Sequence, residues 1–325
     1  MFQPAFGLKN RHLQTLFPAL FRKQPRPEIE IEQFELSDGD FVECFWHYRP
    51  NKEDNRPIVV LFHGLEGSYE SPYIQGIMHA LKQAGFSSVL MHFRGCSGKV
   101  NRLARSYHSG ETADAKAWFE SLAERYPRSP LFAVGYSLGG NMLLKLLGEW
   151  GGTSPVTAAV SVSAPMQLDV CADRMERGFS KFYQHHLMKG LKRQLLKKYR
   201  YHNMQSLIGI DEKGVRKLRS FWEFDDVYTG PVHGFGSAAE YYRKSSSKQF
   251  LKAIRTNTLI IQALDDPFMS SEILPEKKEV PSDVRIELYP HGGHVGFVSG
   301  SFLKPCYWLD DRIVNYFSHD VSNGD

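Results

Sequence analysis

Gly135-Tyr136-Ser137-Leu138-Gly139 sets a serine midway between two glycines. Before it, Leu131 to Val134 is a short apolar run that opens after Pro130 and reads as a buried strand. After it, Asn141 to Gly148 is apolar at helical spacing and is stopped by glycine. A serine on so sharp a strand-to-helix turn is lifted clear of the sheet as an exposed nucleophile. Its backbone is pushed toward strained angles, and side chains at 135 and 139 would collide with neighbouring elements. The helix N-terminus points at whatever the hydroxyl attacks. The rival reading is a glycine-rich structural turn; strand before and helix after favour the nucleophile.

A serine hydroxyl needs an adjacent base at neutral pH. The chain has 13 histidines, so position decides. His294 lies in Tyr289-Pro290-His291-Gly292-Gly293-His294, directly after the last expected strand, where glycines let the backbone carry an imidazole inward. His291 shares the loop and is the rival; it suits a structural hydrogen bond better. The third member is a carboxylate that orients the imidazole and steadies its charged form. Asp265-Asp266-Pro267 stands at the end of the strand that begins at Thr258. Both aspartates are candidates. The position just before the proline favours Asp266, which leaves Asp265 as an acceptor that fixes the loop. The N–H groups of Leu138 and Leu65 are the expected donors to an oxyanion, and His63 is expected to brace the loop carrying Leu65.

These residues must be held by a sheet. Glu28–Leu36 and Phe41–Tyr48 alternate as a hairpin around Ser37-Asp38-Gly39-Asp40. Ile58–Phe62, Ser87–Phe93, Leu131–Val134, Val156–Ser163, Thr258–Ala263 and Val284–Tyr289 read as strands of a parallel sheet, separated by helices over 71–84 and 111–126. A closing helix is expected over 306–317. From Ala164-Pro165 to about 257 the pattern lapses into charge-rich helical sequence without a clear strand, an insertion expected to cap the site. Residues 1–27 form an amphipathic N-terminal segment that packs on its own domain or lies on a membrane surface.

The 42% hydrophobic content supports a real core, and a net charge of +4 gives no reason to expect a nucleic-acid binder. Cys44, Cys96, Cys171 and Cys306 are widely spaced, which suits reduced thiols in a cytoplasmic protein. Neither a secretory signal nor a membrane span is apparent. Lys181–Tyr201 carries seven basic residues and no acid; it reads best as a solvated cap face, with a contact to anionic lipid or nucleic acid as the rival, since no aromatic platform or nucleic-acid motif accompanies it. His185-His186 points to two different helix faces, and neither a zinc motif nor a nucleotide-binding loop follows a strand; no metal or cofactor is expected. Tyr136 is expected to pack, with lining of an acyl pocket as the rival reading.

Taken together, His63-Gly64-Leu65-Glu66-Gly67-Ser68, Phe93-Arg94-Gly95-Cys96-Ser97-Gly98, Tyr107-His108-Ser109-Gly110-Glu111-Thr112, the Ser137 turn and His291–Phe297 resemble the YheT-like esterases of the α/β-hydrolase superfamily. Asn10–Thr15 and Glu223–Asp226 fit as well, while Asn257 departs where the family pattern has proline. The resemblance implies one α/β domain over 1–325, with a mostly parallel eight-stranded sheet and a helical cap over about 165–257. It also implies a serine esterase acting on small ester substrates, lipid-derived ones among them, through Ser137, Asp266 and His294. Alternatives are an acyltransferase using the same acyl-serine and a non-catalytic ligand receptor on the same fold.

Overall fold

The fold is that of a computed structural model, in which residues 2–51 and 53–321 are described. Eight strands build the main sheet: β1 Glu30–Glu35, β2 Phe41–His47, β3 Ile58–Phe62, β4 Ser87–Met91, β5 Leu131–Tyr136, β6 Val156–Val162, β7 Asn257–Ala263 and β8 Val284–Tyr289. Their order is β1-β2-β4-β3-β5-β6-β7-β8. The β1–β2 and β2–β4 pairs are antiparallel and all the others are parallel. Asn257, without the expected proline, opens β7 in register with Ala158.

Strand β3 shows why the central strands are apolar without a break. Ile58, Val60 and Phe62 enter the core on one face, while Val59 and Leu61 enter the core on the other. The first face is covered by α3 (Ala113–Arg125) and α4 (Leu138–Trp150) through Trp118, Phe119, Met142 and Leu146. The second is covered by α2 (Pro72–Gln83) and the closing helix Trp308–Asn315 through Ile74, Met78, Leu309 and Ile313. Each such large side chain, fully buried, contributes about 1.5–3 kcal/mol of transfer free energy.

Two boundaries differ from the expectation. Helix α4 runs through Gly148 and ends at Trp150, with Gly151 at φ +54° as its cap. Gly148 is there because α4 crosses the Phe250 backbone, whose carbonyl would stand 2.5 Å from an added Cβ. The closing helix begins late because Pro305–Tyr307 pairs as a short strand with Val298–Gly300.

Between β6 and β7 the described chain is helical, with α5 (Leu168–Met175), α6 (Ser180–Lys198) and shorter turns that lead to Ala238–Ser245. This cap has a core of its own, built around Met188, Leu195, Met204, Phe224 and Tyr228. Most basic residues of α6 are exposed, but Lys198 is not. Its ammonium is buried against the carbonyls of Asn101, Leu103 and Arg105 and the Asn101 side chain, so it belongs to the packing and not to the solvated face. The N-terminal helix α1 (Arg11–Phe21) packs back on the body: Ala5, Leu8 and Phe17 cluster with Val298.

A buried charge cluster ties the hairpin turn to the sheet. Arg94 holds Asp114 in two parallel bonds of 2.7 and 2.6 Å and reaches Asp38 at 2.8 Å and Asp40 at 3.1 Å. Removing Arg94 strands the buried Asp40 and Asp114 carboxylates away from water. Arg94→Met is therefore expected to lower unfolding free energy in urea by about 3–5 kcal/mol. Arg26→Met, which breaks an exposed pair with Glu70, is the control and should cost far less. Equal losses in the two variants would contradict the buried network.

Candidate active site

Strand β5 ends at Tyr136 and α4 begins at Leu138, so Ser137 alone makes the turn. It does so at φ 51° and ψ −120°, a conformation that side-chain-bearing residues avoid. The turn presses against the β3 loop: a Cβ on Gly139 would stand 2.6 Å from the His63 carbonyl oxygen, and one on Gly135 would run into the Gly139 carbonyl. The Ser137 N–H donates to the Val162 carbonyl at 2.8 Å, which anchors the strained residue to β6. Tyr136 is buried against Tyr73, away from the cavity described below.

Three distant side chains meet there. The Ser137 hydroxyl lies 2.9 Å from His294 Nε2, and His294 Nδ1 lies 2.8 Å from Asp266 Oδ2. The second Asp266 oxygen accepts from the Phe268 N–H at 2.8 Å, so the carboxylate is fixed from both sides. Asp265 turns the other way. It accepts from the Gly293 N–H at 3.0 Å and meets His291 Nδ1 at 3.3 Å, which places both rivals in the loop's framework and outside the chain of contacts to Ser137. Hydroxyl, imidazole and carboxylate in this order can pass a proton off the serine as its oxygen forms a bond.

Leu65 and Leu138 flank Ser137 in the cavity wall. Leu138 is the first residue of α4, where a helix leaves its amides without internal acceptors. Among the described residues the Leu65 N–H also makes no hydrogen bond. His63 braces this loop, as expected: its Nδ1 donates to the Gly64 carbonyl at 2.7 Å and its Nε2 accepts from the Phe93 N–H at 3.2 Å. Burial, helped by neighbouring His92, lowers the His63 imidazole to about 3, and burial lowers His92 to about 4. Both rings stay neutral at physiological pH. The cavity measures about 610 Å³, within the range that holds small molecules. Leu168, Ala172, Met175, Leu191 and Phe224 give it an apolar side under the cap. Two carboxylates also face it. Burial raises Glu66, which accepts from Gln194 at 2.8 Å, and pushes Asp225 up to about 6 beside the hydroxyls of Thr229 and Tyr242.

Several positioning contacts escaped the sequence reading. The Thr15 hydroxyl accepts from the His294 N–H at 2.9 Å, and buried Gln14 donates to the Leu8 and Val298 carbonyls while accepting from the Val298 N–H. Helix α1 thus clamps the histidine loop, and Gly293 (φ +60°) lets it sit 2.7 Å from the Arg11 carbonyl as a Cβ would see it. The Asn10–Thr15 run carried the signal but not its purpose. Phe268 stacks on the His294 ring at 3.9 Å, and Asn141 ties α4 to the Ser109 and Ser245 carbonyls. No local pattern marks either. Among the described residues no group of three or more His, Cys, Asp or Glu could hold a metal, and no helix is long and apolar enough to cross a membrane.

Residues 57–301 match the alpha/beta hydrolase fold family. The chain belongs to that family. A protein of Escherichia coli (strain K12) named "Putative esterase YheT" is 45% identical over 318 residues, covering 98% of this chain and 93% of its own. Phospholipase ABHD3 of Mus musculus is 28% identical over 323 residues, covering 95% and 78%. Among solved structures, the Pyrococcus furiosus esterase Pf2001 shares this hydrolase fold with a TM-score of 0.59 over 91% of both chains, at 15% identity.

The two neutral histidines generate a pH dependence of stability. Their folded values lie below the ordinary imidazole value of 6.5, so the unfolded chain binds more protons between the two. Their contribution is complete above about pH 6.5 and is lost as pH falls toward 4. The urea midpoint should drop from pH 7.5 to pH 5, and less steeply in His63→Gln. A midpoint unchanged over that interval would contradict the neutral, buried assignment.

Proposed function

We propose that this protein is a serine hydrolase that cleaves carboxylic esters, lipid-derived ones among them, through an acyl-enzyme on Ser137. The observation that carries the reading is the unbroken contact from Ser137 Oγ through the His294 ring to Asp266, at 2.9 and 2.8 Å. The relatives named as an esterase and a phospholipase support the reaction class, and the apolar cavity wall suits an acyl chain.

Ser137 Oγ bonds to the ester carbonyl carbon while His294 Nε2 takes its proton. The carbonyl oxygen becomes an oxyanion held by the Leu138 and Leu65 N–H groups. As the carbon–oxygen bond to the alcohol breaks, the imidazolium returns the proton to the departing alkoxide. Water then repeats the sequence on the acyl-serine: His294 takes its proton, the acid is released and Ser137 regains its hydrogen. Asp266 holds the imidazole with Nε2 free to accept and stabilises the charge the ring gains.

The test is hydrolysis of p-nitrophenyl esters of increasing acyl length. Ser137→Ala should lower kcat by at least about 10⁴-fold and Asp266→Asn by about 10⁴-fold, the scale of such relays elsewhere. Asp265→Asn should cost less than about tenfold, since it touches only the loop. A loss in Asp265→Asn equal to that in Asp266→Asn would overturn the assignment of the carboxylate.

A further inference from the structure

The cavity opens between α1 and α6. Ala19 on α1 and His186 and Lys189 on α6 are both solvent-exposed and part of the cavity lining, so they mark its mouth. Large apolar side chains stand in water on both helices. On α1, Leu13, Leu20 and Phe21 are exposed, Leu20 at 67% and Phe21 at 61%, while Phe17 on the same helical stripe is buried. Phe17 joins this stripe to the exposed Phe302, with ring centres 5.4 Å apart. On α6, Phe182 is 57% exposed and lies 5.6 Å from Phe179, which in turn meets the His12 ring of α1 at 4.4 Å. Tyr183 continues inward to Phe268, the ring stacked on His294. A chain of aromatic rings therefore runs from exposed Phe182 and Phe179 to the candidate site.

Its electrostatics have one sign. Residues 2–23 and 177–210 contain no Asp or Glu. Lys9, Arg11 and Lys23 around α1 are exposed, as are Lys181, Lys189, Arg193 and Lys197 along α6. None of these seven has an acidic partner among the described residues, whereas Arg22, the buried cation of α1, is paired with Asp310. Isolated exposed apolar residues are ordinary, but a group of them on the two helices that bound the cavity mouth, interleaved with unpaired cations, matches an anionic lipid surface.

We propose that the faces of α1 and α6 around the mouth dock on a phospholipid bilayer bearing anionic headgroups, with Leu20, Phe21 and Phe182 entering the headgroup boundary and the lysines and arginines resting on it. The mouth lies between the two docked helices, so docking brings it close to the headgroups from which a lipid ester can enter the cavity. That purpose rests on the ester reading; the docking itself is measured without turnover.

The experiment is co-sedimentation with vesicles of phosphatidylcholine, with and without phosphatidylglycerol, alongside hydrolysis of a soluble short-chain p-nitrophenyl ester. The wild-type protein should bind the anionic vesicles more strongly than the neutral ones and lose binding as salt is raised. The double variant Leu20→Glu/Phe21→Glu, and separately Phe182→Glu, should lose at least about tenfold in vesicle partition. Both should keep wild-type activity on the soluble ester, which shows that they fold. Ile31→Glu, the same change on edge strand β1, should leave partition unchanged. The proposal is overturned by a wild-type protein that stays in the supernatant with both vesicles, or by Ile31→Glu losing as much as the double variant. A wild-type dimer that the double variant splits, with no vesicle binding, would reassign the face to a second copy of the chain. Vesicle binding by a protein that hydrolyses no ester would support the docking face and overturn the ester reading alone.

Discussion

The backbone of Ser137, at φ 51° and ψ −120°, is the constraint to which the rest of the molecule is fitted. A residue in so sparsely populated a region costs on the order of 1–3 kcal/mol and persists only where its surroundings over-determine it. Here the surroundings are the centre of the sheet. Phe62, Gly135 and Ser161 lie side by side in the parallel register of β3, β5 and β6. All three strands therefore deliver their loops to one edge, and the missing side chains at Gly135 and Gly139 let the β5–α4 turn press onto the β3 loop. The strain is a local property, but what sustains it is the packing of both sheet faces.

The partners of Ser137 are held by contacts between segments far apart in the chain. Asp266 leaves the end of β7 and is fixed by the Phe268 amide. His294 stands on a loop gripped from outside by α1, whose Thr15 and Gln14 side chains bond to backbone groups about 280 residues away. Asn141 and Ser180 join the cap to the body, the latter by a 2.6 Å bond to the Pro267 carbonyl beside Asp266. The N-terminal segment and the cap thus share in setting the geometry around the serine, although neither supplies one of the three side chains in contact there. Helix α1 carries exposed Leu20 and Phe21 on one side and Thr15, which holds the imidazole loop, on the other.

What the sequence made legible followed from short-range chemistry. Period-two alternation marked the hairpin, unbroken apolar runs marked β3 to β7, and the glycines around Ser137 marked the elbow. The choice of Asp266 over Asp265 and of His294 over His291 rested on position relative to strand ends, and the contacts fall on those residues. What it hid was non-local. Gly148 reads as a helix stop, yet it is a crossing point with Phe250. Pro305–Tyr307 became a strand because Val298–Gly300 lies beside it, and Lys198 looks like its solvated neighbours but points into carbonyls of the 101–105 loop. Thr15 and Phe268 act on His294 from two different segments, which no window of sequence contains.

The most direct test of the central claim is covalent. A fluorophosphonate reacts with an activated serine hydroxyl and remains on its oxygen. After incubation with the folded protein, digestion and mass spectrometry are predicted to find one adduct, on the peptide carrying Ser137, and none after His294→Gln. A folded protein that stays unlabelled while a known serine esterase reacts, or an adduct on a different residue, would contradict the account.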